Sequence, residues 1–158
     1  MATQTLIQYL ETSAVTGLGV SVPVGAGTMN RSQTETFVAG GAISQGDWLA
    51  LDTSQTGANK ALFVVEAAGV AIVGQANVIG VALADAAAGE KVPVCVAGYC
   101  PKASVAGAAV AGSALVGPIG VAGQAAIEVP GTTSGKLCGV ALAADVANFA
   151  EVLVIKTF

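Results

Sequence analysis

Short runs of Val, Ile, Leu and Ala, broken at intervals of roughly 8 to 12 residues by glycine-containing polar stretches, set the pattern of this chain. Where the runs can be followed residue by residue they alternate as strands do. Trp48 and Ala50 face one side, and Leu49 and Leu51 the other. Residues 52–59, DTSQTGAN, read as a turn, and ALFVV at 61–65 returns as the second arm of a hairpin. VIGVALA at 78–84 reads as a strand, DAAAGEK at 85–91 as a tight loop, and VPVCVAG at 92–98 as the next strand, in which Pro93 argues for an edge or a bulge. Further on come ALVG at 114–117, GQAAIEV at 123–129, a loop PGTTSGK at 130–136, the strand LCGVALA at 137–143, a connection over 143–151 and a final strand, VLVIKTF, at 152–158. Alanine-rich helix is held to a turn or two, because Gly89 interrupts one candidate stretch and the other is short.

The phrase GVALA occurs twice, at 80–84 and 139–143, each time followed by an acid-containing break and a valine-rich run. Working backward, VAGGAISQGDWLAL at 38–51 matches VAGAAVAGSALVG at 105–117 with one residue deleted. Both copies carry a β-branched residue (Ile43, Val110), a glycine (Gly46, Gly112), a small turn residue (Asp47, Ser113) and a leucine two positions on (Leu49, Leu115). The offset falls from 67 at VAG to 59 at GVALA, so the second copy has lost residues from its middle loop. These patterns predict an all-β fold, a small sandwich or barrel-like domain built from two degenerate β repeats. The repeats cover about 38–98 and 105–155 of a domain at 37–158, preceded by an N-terminal arm or peripheral strand at 1–36. GVALA recurs because the unit recurs, and its glycine lets a neighbouring strand approach closely.

Composition changes that picture in one respect. Only 10% of the residues are charged, against roughly 25% in ordinary soluble domains, so charge cannot coat a monomer in the usual way and some apolar surface is expected to be covered by other subunits. The net charge is −4 and the six basic residues are scattered singly, which leaves no basic face for nucleic acid. Residues 103–127 hold no charge for 25 positions, long enough to span a bilayer, but they are mostly Ala, Gly and Ser and argue against a membrane span. The first residues have neither a basic n-region nor an apolar h-region, so no secretory signal is expected there.

Candidate chemistry is sparse. With no histidine, the usual nucleophile–base pairing is missing, and no enzymatic activity is expected. The carboxylate pairs Asp47 with Asp52 and Asp85 with Glu90 fall in turns, where acids are ordinary solvated residues. Gly135–Lys136 is followed by Leu137, which lacks the hydroxyl a phosphate loop places on its metal. The three cysteines, Cys95, Cys100 and Cys138, are too few for a structural zinc without histidine. Cys95 and Cys100 could close a local disulfide in an oxidising setting, although free thiols acting as small buried hydrophobes are preferred. No cofactor, metal or catalytic residue is assigned. Two places are singled out for partner binding: Leu6, Ile7, Tyr9 and Leu10 in the arm, and Trp48, for which a plug in the core or between subunits is nevertheless the preferred role.

AISQGDWLALD, VIGVALADAAAGEKVPVCVAG, AGSALVGPIG and PGTTSGKLCGVALAADVANFAEVLV together resemble the decoration, or cement, proteins of tailed-bacteriophage capsids, over about residues 38–155. The resemblance implies a virion protein made in the host cytoplasm and carried on the outer capsid surface, where it stabilises the assembled head. It implies the major capsid protein and further copies of this chain as partners, the latter in a trimer, with no nucleic acid and no membrane. Alternatives are another virion part, such as a tail or head fibre, or a secreted or surface-displayed adhesin-like β module. A small β-barrel enzyme or carrier would need converging polar groups that the sequence scarcely supplies.

Overall fold

The computed structural model describes residues 32–69, 77–129 and 135–156. Leu6, Ile7, Tyr9 and Leu10 lie outside them. Nine strands are formed among the described residues: β1 (Gln33–Ala39), β2 (Trp48–Leu51), β3 (Phe63–Glu66), β4 (Val78–Ala82), β5 (Lys91–Ala106), β6 (Ala114–Val116), β7 (Ala125–Ile127), β8 (Leu137–Ala141) and β9 (Phe149–Val154). The all-β expectation holds, and the choice between sandwich and barrel falls to barrels. β1 runs parallel to β3 and antiparallel to the first half of β5, while β3–β2, β2–β4 and β4–β5 pair antiparallel, which closes a circuit of five strands. The second half of β5 repeats the arrangement with β7, β6, β8 and β9. Closure leaves neither circuit a free edge.

The two circuits are copies in detail. Leu49 lies opposite Gly80 and Leu115 opposite Gly139, and in each case the register shifts immediately after the leucine. Gly46 N–H donates to the Ala82 carbonyl at 2.9 Å, and Gly112 N–H to that of Ala141 at 2.8 Å. The small turn residue acts alike in both: Asp47 Oδ2 accepts from Ser44 N–H, and Ser113 Oγ from Val110 N–H. The shortening falls mainly between the second and third strands. There residues 52–62, with a 3₁₀ helix at Gly57–Ala61, correspond to the briefer connection 117–124. Asp52, only 8% exposed, organises that longer loop by accepting from Ser54 Oγ, Ser54 N–H and Gln55 Nε2. Those donors hold its carboxyl below the ordinary range.

Three details differ from the sequence reading. Residues 99–104, read as the gap between repeats, belong to the 16-residue β5, the last strand of one circuit and the first of the next. The final strand starts at Phe149 instead of Val152, because Ala147 and Asn148, both at positive φ, turn the chain tightly and return Phe149 to Val146. Pro93 marks neither an edge nor a bulge. It faces the end of the β4 ladder, where Leu83 N–H donates to the Pro93 carbonyl, and the return bond that proline cannot give is supplied to the Leu83 carbonyl by Gln45 Nε2 at 3.0 Å.

Two apolar clusters follow from the alternation read along β2. Leu49 packs with Val64, Ile79, Val92, Val94 and Val96 inside the first barrel, with Leu51 against them. Trp48 and Ala50, on the other face, join Val105, Leu115, Cys138, Ala141, Val152 and Val154 of the second. The first barrel's outer face is therefore part of the second barrel's core. Among the described residues no helix is long and apolar enough to cross a membrane, and the uncharged stretch 103–127 is spent on the end of β5, on β6 and on β7.

Candidate functional site

Of the residues singled out in the sequence, the junction between the barrels holds Trp48 and, beside it, Asp47. Trp48 sits there with no exposed surface. Its Nε1–H donates to the Ser104 carbonyl at 2.9 Å and its backbone N–H to that of Gly123, also at 2.9 Å. The far edge of the ring reaches β8, where Cη2 lies 3.1 Å from the position a Cβ would take on Gly139. Of the roles weighed for Trp48, its placement is that of a plug between the barrels. The second cluster explains the fit, since Ala103, Ala109, Ala125, Ala141 and Ala150 supply little volume and a large ring fills what they leave.

Charge borders the plug. Asp47 precedes it, Glu66 lies opposite Leu49 at the end of β3, and both carboxylates approach Gly123, with Glu66 Oε1 at 2.6 Å and Asp47 Cγ at 3.2 Å from where its Cβ would stand. Gly123 sits at φ +68 and packs under these acids, two reasons for glycine in the β6–β7 connection. Lys102 Nζ stacks on the Phe149 ring at 4.4 Å and reaches Gln45 Oε1 at 3.4 Å. Burial raises the Asp47 pKa, with Asp85 adding to the rise, against the Ser44 N–H bond and Lys102, which lower it. Burial and the Asp47 charge raise that of Glu66.

The folded protein therefore holds protons on these two acids more readily than the unfolded chain does. Their favourable contribution is complete below the unfolded values and is lost as pH rises through the folded ones. Glu66→Gln should accordingly stabilise the protein at pH 7 by a few tenths to about 1 kcal/mol, the small size reflecting the exposure of Glu66. The gain should vanish near about pH 4, where the carboxyl is already protonated. Thermal melts of both proteins at the two pH values check this, and a destabilised variant at pH 7 would overturn it.

The carboxylate pairs considered for acid–base work are separated by their loop duties. Asp52 organises the β2–β3 loop, Asp85 accepts from Gln45 N–H at 2.7 Å, and Glu90 from Ala87 N–H at 2.8 Å. Among the described residues no group of three or more His, Cys, Asp or Glu side chains is placed to hold a metal ion. Apolar exposure is uneven. Among the described residues the first barrel exposes one large hydrophobic side chain, Leu62, whereas the second exposes several, including Val110, Leu137, Leu142, Val146 and Leu153. Alternation could have found Leu137 and Leu153, on the outer faces of β8 and β9. Val110 matches Ile43 in the repeat, so its 60% exposure against 4% was not legible from the pattern.

No protein-family model matches the chain, and no curated protein matches it. Among solved structures it is similar to the N base of the head fibre gp8.5 in bacteriophage phi29, with a TM-score of 0.54 and 16% sequence identity. The alignment covers 79% of this chain and 95% of that one. At this identity the likeness is one of fold.

Proposed function

We propose that the chain is a structural protein of a phage virion, carried on the outside of the head and acting by binding rather than by catalysis. The observation that carries this reading is the shared fold with a head-fibre base, which spans nearly the whole of that chain. The sequence resemblance to capsid decoration proteins points to the same particle from different evidence. In this reading the closed barrels form a rigid body, and the apolar side chains on the second barrel are the surface offered to the major capsid protein or to further copies of this chain. A symmetric oligomer, in the decoration case a trimer, would give each attachment several weak contacts, which add across a lattice of sites.

A decoration protein and a fibre base differ in number. The deciding experiment is mass-spectrometric quantitation of this chain against the major capsid protein in gradient-purified particles. A copy number of the same order as the capsid protein supports decoration. A small fixed fraction supports a head fibre, the role the fold favours. Absence from particles overturns the virion reading.

A further inference from the structure

Cys95 and Cys100 lie on one strand, five positions apart. In a straight strand that spacing would separate them by about 16 Å and turn them to opposite faces. Instead both thiols are fully buried and belong to the same cluster. Cys95 Sγ also lies 3.7 Å from the Tyr99 carbonyl, four residues on. The backbone supplies the bend: Gly98 sits at φ +90, and β5 shifts register between Cys100 and Ala103 on entering the second barrel. Cys138 stands apart, its thiol on the Leu115 carbonyl at 3.4 Å and its pKa pushed up by burial to about 12.

We propose that Cys95 and Cys100 are a disulfide-forming pair that locks the bend of β5 where the chain passes from one barrel to the other. The step is thiol–disulfide exchange with a small-molecule disulfide. One protein thiolate attacks the reagent and expels one reagent thiol, and the second then attacks the mixed disulfide and expels the other. The protein loses two hydrogens and two electrons, which the two reagent thiols carry away. Since both thiols are fully buried, the bond closes during folding or in a transient opening and not by attack on the closed protein.

The test is to refold the full chain in mixed reduced and oxidised glutathione, then denature it and label free thiols without reductant. One labelled thiol is expected, at Cys138, together with a tryptic peptide of residues 92–102 about 2 Da lighter than its reduced form. The oxidised protein should melt no lower than the reduced one, and Cys138→Ser should leave the bridge intact. Three labelled thiols, a bridge to Cys138 or to a second chain, or an oxidised form that melts lower would each overturn the proposal.

Discussion

Replacing Trp48 with alanine should cost about 3–5 kcal/mol of folding stability, a large share of the ~5–15 kcal/mol that holds a domain of this size together. Several effects act together. The ring is fully buried in a cluster of small side chains, which cannot collapse into the space it leaves. The Ser104 carbonyl, on a residue only 4% exposed, loses its donor as well. Trp48→Phe, which keeps most of the apolar area and loses the hydrogen bond, should fall between the two. The effect should also be lopsided. The ring belongs to the second barrel's core although its backbone belongs to the first, so in Trp48→Ala the amides of β8 and β9 should lose more exchange protection than those of β3. Urea unfolding and hydrogen exchange measure both. A loss below about 1 kcal/mol or equal deprotection of the two barrels would show that Trp48 does not join their cores.

How far the sequence carried this architecture depends on which interaction sets each feature. The all-β class and the duplication were legible because side-chain alternation and the repeated VAG, Gly–Asp/Ser and GVALA spacings are local properties of the chain, and the structure turns each into matching hydrogen bonds and registers. The inward and outward faces of β2 were legible for the same reason. Barrel closure was not, since it depends on which distant strands meet: β1 pairs with β5 more than fifty residues away. The long β5 was hidden because Gly98 and Pro101 look like punctuation, yet a positive φ and a register shift let one strand bend and continue. Pro93 misled because its missing N–H is compensated by Gln45, a side chain from a loop far off in sequence. The junction was legible only in fragments, with Trp48 as a lone aromatic and Asp47 as a turn acid, whereas Glu66, Lys102, Ser104 and Gly123 carry no signal until the fold brings them together.

The paired glycines of GVALA give the second large effect, and they should behave differently although their phrases are identical. A Cβ on Gly80 would fall on the Cys95 carbonyl oxygen, with Cys95 C and Val94 Cγ1 each at 2.9 Å. The obstacle is the backbone of β5, the strand shared by both closed circuits, so it cannot retreat without breaking the β4–β5 ladder. Gly80→Ala should cost about 3 kcal/mol or more, at or beyond the usual upper end for overpacking. At Gly139 the nearest atoms stand farther off, Leu153 O at 3.0 Å and Trp48 Cη2 at 3.1 Å. There Gly139→Ala should cost about 1–2 kcal/mol. Part of that cost belongs to the indole ring, so it should shrink when Gly139→Ala is made together with Trp48→Ala, a coupling absent between Gly80→Ala and Trp48→Ala. Denaturant melts of the three single and two double variants test the ranking and the coupling. Equal costs at the two glycines would mean that GVALA needs its glycine in both barrels for the same close approach of the neighbouring strand. The unequal result would mean that one ancestral strand has been adapted to two neighbours, the backbone of β5 in the first barrel and the tryptophan plug in the second.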